Sequence, residues 1–262
     1  MTAEVDEEAP QTFLTITDTA GKVVRRMTVP GTRGVHRFAW DLRGVAATMP
    51  AAGRGGGGGF GGGNGVGPFV APGTYRAALS RRVGGATTAL GEGQTVTVTA
   101  DPNATLTPAQ RTMATEYQDK VAKLQRAFTG ALEQANNMKT RTTAIRRAIA
   151  DSAADIKLLD DAVKFDRRVT ESLRALRGNE TLRGLESGAP STIQSRVNSA
   201  AAGARSLTGA PTGTQQTNYT VANDELNAEA AKLRALEGDL RRFEQQLEAA
   251  GVPYTPGRWP VQ

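Results

Sequence analysis

The sequence predicts a multidomain β + α chain, with an antiparallel β-sandwich over residues 13–102 followed by an antiparallel helical bundle over 105–250. Three observations carry this. The first hundred residues break into short β-rich runs separated by Gly, Pro and Asp turns. From Pro108 onward, apolar residues recur every three or four positions over long stretches. Between these regions, Asp101-Pro102 ends the last strand and "LTPAQ" opens the first helix. The chain has 262 residues, enough for two modest cores, and only 5% of them are aromatic, so those cores are built on aliphatic residues and alanine.

Residues 1–12 read as a disordered lead. "TFLTITDTAGKVVRRMTVPG" gives two strands, Phe13 to Thr17 and Val23 to Val29. The turn Asp18-Thr19-Ala20-Gly21 joins them, and Pro30-Gly31 stops the second. In "GVHRFAWDLRG" a period of two puts His36, Phe38, Trp40 and Leu42 on one face, which predicts a half-buried strand with Trp40 in the core. Pro72-Gly73 starts a strand over Thr74 to Val83, and "QTVTVTADP" gives another from Gln94.

Residues 44–70 connect two of these strands and hold "GRGGGGGFGGGNGVG"; eleven of the seventeen residues from 51 to 67 are glycine. A dinucleotide loop would need a helix directly after the glycines and an acid about twenty residues on, and a Walker loop would end in Gly-Lys-Ser/Thr. Here the glycines lead instead into Pro68, Phe69, Val70 and another turn. The run therefore reads as a low-complexity insertion in a surface turn, with Phe60 and Phe69 as candidates to dock its ends.

In the second part, Thr107 suits an N-cap and Pro108 the first helical position. Tyr117, Val121, Leu124, Phe128, Leu132, Ala135, Met138, Ile145 and Ile149 make one stripe on a helix over about 108–150. Leu158, Ala162, Phe165, Val169, Leu173 and Leu176 make a second stripe, ending at Gly178, and a weaker helix is expected over about 191–207. "TGAPTGTQQTN" reads as a loop, Asn223 to Ala250 as the last helix, and 251–262 as a tail. Narrow stripes on long helices need partners, which a bundle supplies.

The strings "D-x-x-G-K-V-V-R", "G-x-H-x-x-x-W-D-L-R" and "A-P-G-T-Y" are carried by Asp18, Gly21, Lys22, Val23, Val24, Arg25, His36, Trp40, Asp41, Leu42, Arg43, Pro72, Gly73, Thr74 and Tyr75. This pattern resembles the immunoglobulin-like domain of flagellar hook-capping proteins. It is closest to the version near the C-terminus of large exported bacterial proteins with a sortilin-type, BNR-repeat β-propeller upstream, often labelled glycosyl hydrolases. The helical part resembles the tail of the same proteins, so the likeness spans about residues 12–250. It implies an Ig-like sandwich followed by a helical bundle, a partner protein or an upstream propeller, and export. In such a propeller the boxes have the form Ser-x-Asp-x-Gly-x-Thr-Trp; Asp18-Thr19-Ala20-Gly21 has one residue too many and no tryptophan after it.

The absence of cysteine excludes disulfides and thiolate chemistry. The net charge is +6, and 25 of the 32 basic residues are arginine, read as charges spread along solvated helix faces. Nucleic-acid binding is the third reading, weakened by the scarcity of stacking aromatics. A glycosidase needs two facing acids; Asp160 and Asp161 are adjacent, and Glu225, Glu229, Asp239 and Glu244 read as solvated salt-bridge residues. His36, the only histidine, lacks a recognisable nucleophile and orienting acid beside it in sequence. Trp40 and Tyr75 could stack a sugar, although a core role for Trp40 is preferred. Lys139, Arg141, Arg146 and Arg147 form a basic cluster, either for an acidic partner or as a solvated face.

No catalytic, cofactor-binding or metal-ligating residue is assigned, and no cofactor is expected. The expected function is a non-catalytic structural or protein-interaction module; the alternatives are an accessory fragment of a glycoside hydrolase whose catalytic propeller lies elsewhere, and a basic nucleic-acid binder. The start, MTAEVDEEAP, carries four acids and no base, unlike a secretory signal. Taken literally the chain is expected in the cytoplasm; as part of the larger family protein it is expected to be exported. The short lead into the first strand suggests that Met1 is an internal methionine or that the gene start is truncated.

Overall fold

The computed structural model describes residues 8–47, 67–103, 105–179, 191–204 and 209–258. A five-stranded antiparallel sheet precedes four helices. The chain divides into two compact units, Met1–Asp119 with Ala204–Pro211, and Lys120–Gly203 with Thr212–Gln262.

The strands are β1 (Gln11–Thr17), β2 (Val23–Val29), β3 (Gly73–Val83), β4 (Ala86–Ala89) and β5 (Gln94–Val98). β1 lies between β2 and β3. The other edge of β3 is shared: Gly73–Ala77 pair with β5, and Ser80–Val83 pair with β4. β1 begins at Gln11, inside the span read as a lead. The β1–β2 turn forms as its chemistry requires. Asp18 Oδ1 accepts from the Ala20 and Lys22 amides at 3.0 and 2.9 Å, and Gly21 takes φ 80°. β4 is not legible from sequence, because Gly84 and Gly85 (φ 53° and 81°) make a tight turn into a run of alanine and threonine that carries no apolar alternation. Alternation puts Thr12, Leu14 and Ile16 on one face with Met27, Val29, Tyr75, Ala77 and Leu79. Ile16, Val29 and Tyr75 are buried there.

The strand expected in "GVHRFAWDLRG" does not form. His36, Phe38 and Leu42 are exposed, and only Trp40 is half-buried. Local side-chain bonds outcompete a ladder here. A His36 ring nitrogen lies 2.9 Å from the Thr32 carbonyl oxygen, Asp41 Oδ1 accepts from the Arg43 amide at 3.1 Å, and Trp40 Nε1 donates to the Arg43 carbonyl at 2.9 Å. Leu42 sits at φ 56°, which breaks the extended run. Trp40 still reaches the sheet, meeting Tyr75 edge-on with ring centroids 5.5 Å apart.

The ends of the glycine-rich connection are pinned. The Gly44 amide donates to Pro68 O and the Val70 amide to Leu42 O, both at 2.8 Å. Arg43 donates to Gly67 O at 3.0 Å, and its guanidinium lies 3.6 Å over the Phe69 ring. Phe69 thus docks one end, in agreement with the sequence reading. The interior of the run, including Phe60, lies outside the described residues.

The helices, numbered in order among the described residues, are α1 (Pro108–Ala150), α2 (Lys157–Arg177), α3 (Ile193–Ala204) and α4 (Gly213–Ala249). Thr107 caps α1 through a reciprocal pair with Gln110. α4 begins ten residues before its expected start. Thr212 and Gln215 form a full capping box inside the segment read as loop, and Tyr219 packs against the core from the added turns. Met138, Ile145, Val169, Leu176, Val197, Leu240 and Leu247 share one apolar core in the second unit. Phe165 and Phe243 stack within it at 5.1 Å. Gly251 (φ 68°) turns the chain after α4 and places Val252 in the same core, so the described part of the tail is packed.

The pinned neck generates a test. A Cβ on Gly67 would overlap the Gly44 carbonyl and stand 2.8 Å from the Val45 oxygen. Gly67→Ala is expected to destabilise the sheet unit by about 2 kcal/mol, because backbone rather than a side chain must move. Thermal unfolding of the variant against Gly73→Ala, where the added methyl meets open space, measures it.

Candidate functional site

The densest group of charged side chains lies in the second unit, where α1, α4 and the tail meet. Arg141 projects from α1 with its side chain 10% exposed. Glu237 and Glu244, seven residues apart on α4, share one face two turns apart. Arg141 Nη1 donates to Glu237 at 2.8 and 3.0 Å, while Nη2 donates to both Glu244 oxygens at 2.8 Å and Nε donates at 3.1 Å. Arg241, one turn beyond Glu237, donates to it at 2.9 Å.

The tail closes the group. Gly257 lies against the Arg141 stem, where a Cβ would fall 2.9 Å from Cδ, and its φ of 92° independently favours glycine. The Arg258 side chain is 2% exposed and donates to Glu248 at 2.7 Å and to Pro253 O at 2.9 Å. Tyr254 donates to Glu248 at 2.7 Å. These residues line an open cleft of about 710 Å³ together with Gln134, Asn137 and Gln245. Its lining holds three arginines and three glutamates, Arg141, Arg241 and Arg258 with Glu237, Glu244 and Glu248, so their formal charges cancel.

Burial alone would lower the Arg141 pKa, but hydrogen bonds from Arg141 to Glu237 and Glu244, together with their charges, raise it. Burial would likewise raise Glu237, and the hydrogen bonds and charges of Arg241 and Arg141 hold it below the usual carboxylate range.

A second cluster ties α1 to α2. Lys139 and Thr142 reach Asp166 Oδ1 at 2.7 and 3.1 Å, and Arg146 reaches Oδ2 at 3.3 Å. Arg168 of α2 reaches Asp239 of α4 at 2.9 Å, and Arg242 also pairs with Asp239.

These positions correct the sequence reading. Of the expected basic cluster, Arg141 leaves the solvated face and is buried, whereas Lys139 and Arg146 stay partly exposed while pairing with Asp166, and Arg147 is exposed. Glu244 and Glu229 are not solvated salt-bridge residues, with side chains only 11% and 5% exposed. Asp239 is half-buried between two arginines. Glu225 lies 3.6 Å from Arg196, and Asp161 pairs with exposed Lys164. His36 is exposed on an irregular segment rather than a strand. Trp40 and Tyr75 are inclined at 72°, which gives no flat stacking platform. The Tyr75 hydroxyl donates to Ala71 O at 2.6 Å; burial first, then the charge of Asp18, pushes its pKa up.

Sequence reasoning missed Glu237, Glu248, Gly257 and Arg258. The signal available was the spacing of Glu237, Arg241, Glu244 and Glu248, one polar stripe at helical period beside the apolar one. Among the described residues no group of three or more His, Cys, Asp or Glu could hold a metal ion, and no helix is long and apolar enough to cross a membrane. Comparison with protein-family models, with curated proteins and with solved structures returns no match.

The charge cluster can be tested in two ways. Arg141→Ala leaves two carboxylates facing each other in a largely buried site and is expected to cost about 3 kcal/mol or more, read by denaturant unfolding. Glu237, with its folded pKa lowered below the ordinary 4.5, contributes stability that is present above that value and lost as pH falls through the folded value. A stability–pH profile of the protein should therefore fall below about pH 4.5, and Glu237→Gln should flatten that fall.

Proposed function

We propose that the chain is a non-catalytic structural and protein-interaction module, the C-terminal accessory part of a sortilin-like β-propeller protein. In this reading the five-stranded sheet is one layer of an Ig-like sandwich. The 31–45 segment covers its apolar face through Trp40, and the helices form an antiparallel bundle. The order of sheet and then helices supports the reading. So do the roles of the residues that carry the resemblance: Asp18 and Gly21 build a turn, Arg43 pins a neck, and Trp40 packs on Tyr75.

The observation that carries the proposal is the commitment of the acids. Glu237, Glu244, Asp166 and Asp239 each bind arginine or lysine on a neighbouring helix, with side chains between 11% and 31% exposed. A pair of glycosidase acids must instead face a sugar across an open cleft, one protonated and one ionised. Carboxylates gripped by guanidinium and ammonium groups have their lone pairs already occupied. Their work here is to fix helix register and present the outer helix faces to a neighbour.

The test is the mass of the native polypeptide in its source cells, detected with an antibody against the helical part. The reading expects a species much heavier than the 27.5 kDa of this chain, and a species at that mass would overturn the propeller assignment. A glycosidase assay of the isolated chain tests the other half: turnover abolished by Glu244→Gln, but retained in Trp40→Leu, would overturn the non-catalytic assignment.

A further inference from the structure

The face of the sheet opposite Ile16 is polar and basic. Register and alternation place Arg26 of β2 and Arg76 and Arg82 of β3 on it, around Thr15 and Thr17 of β1. All three arginines are exposed. Strand spacing puts the Arg26 and Arg76 Cα atoms roughly 12 Å apart, and Arg82 roughly 20 Å along β3 from Arg76. Among the described residues of the strand region, 8–47 and 67–103, nine basic side chains stand against five acidic ones. Asp18 and Asp41 are spent on backbone amides of their own turns.

Arg26 and Arg76 have no side-chain ion-pair or hydrogen-bond partner among the described residues, unlike Arg141, Arg146 and Arg168 of the helical unit, which pair with acids on neighbouring helices. Arg76 is also placed rather than free-swinging: its stem and Nε lie against Gly93, where a Cβ would overlap them. Arg82 does have a partner. Glu8, in the short segment just before β1, sets its carboxylate 3.3 Å from Arg82 Nη2, with both side chains well exposed. A peptide carboxylate is therefore already seated at one corner of the basic face.

We propose that this face docks an extended, acidic peptide segment of a partner protein, with Arg26 and Arg76 as its main charge contacts. The partner class rests on the protein-interaction reading of the chain. A peptide is favoured over nucleic acid or a glycan because the face offers no exposed aromatic ring for a base or sugar to stack on; Phe13, its one aromatic, is half-buried between Thr28 and Ser80. The threonine hydroxyls of the face supply hydrogen-bond partners for an extended backbone, and the guanidinium groups bind carboxylates in pairs.

The experiment is fluorescence anisotropy of the whole protein with a labelled oligoglutamate peptide, at low and at physiological salt. Binding should weaken as salt rises. The Arg26→Gln/Arg76→Gln double variant should bind roughly tenfold more weakly, while Arg147→Gln in the helical unit should bind like the parent. Both substitutions on the sheet are exposed, and circular dichroism checks that the double variant folds. Undiminished binding by the double variant, or no binding at low salt, overturns the proposal. Tighter binding of polygalacturonate or of single-stranded DNA through the same arginines overturns the peptide as occupant. Each outcome is independent of the native-mass measurement, which tests the module reading by itself.

Discussion

A buried guanidinium sets the register of the helical unit. Arg141 cannot be left charged and unpaired with its side chain only 10% exposed, because removing a bare ion from water costs several kcal/mol that packing alone does not return. It cannot shed its proton either. The fold therefore has to bring acids to it, and Glu237 and Glu244 can both reach it only if α4 lies against α1 in one rotational setting and one axial position. A slide of one helical turn would keep apolar stripe against apolar stripe, since alanine and leucine are forgiving partners. It would not keep both carboxylates on Arg141. The ion pairs thus supply the specificity that a small-residue, aliphatic core lacks, while the stabilisation comes mainly from the core itself.

The same logic extends outward from Arg141. Lys139, Thr142 and Arg146 flank it along α1, and by gripping Asp166 they fix α2; Arg168 with Asp239 ties α2 back to α4. Each of three helix pairings has its own charge-matched contact. The tail adds a further one: Gly257 packs on the Arg141 stem and Arg258 reaches back to Glu248, so the end of α4 is closed over the central pair. Here the acids of the polar stripe have structural partners, and the cleft they line holds as many arginines as glutamates.

The sheet unit uses charge differently. Arg43 pins the neck of the glycine-rich connection through a carbonyl and a ring, and Arg25 donates to the Gly44 carbonyl at the same neck. Arg26, Arg76 and Arg82 point outward from strand positions. The entropic cost of closing a connection grows only slowly with its length, so a long connection between two parts of the sheet is tolerated.

The sequence by itself determined what depends on near neighbours in the chain. The turn at Asp18, β1, β2, β3 and β5, the cap at Thr107 and the buried stripes of α1, α2 and α4 are all legible, because a period of 2 or 3.6 and a capping residue are local facts. Legibility ends where a local competitor wins or where no apolar pattern exists. Side-chain bonds at Thr32, Asp41 and Trp40 take the expected third strand. β4 has no alternation to read, and the first ten residues of α4 look like loop until the Thr212–Gln215 box closes. Only the tertiary structure decided which acids meet the buried arginine. The apolar stripe separates Arg141, between Met138 and Ile145, from Arg147, which falls off it and faces water, but nothing in the stripe says that Arg141 meets two glutamates from about a hundred residues away. Pairing is a property of what a helix packs against, and that information is not carried by the helix's own residues.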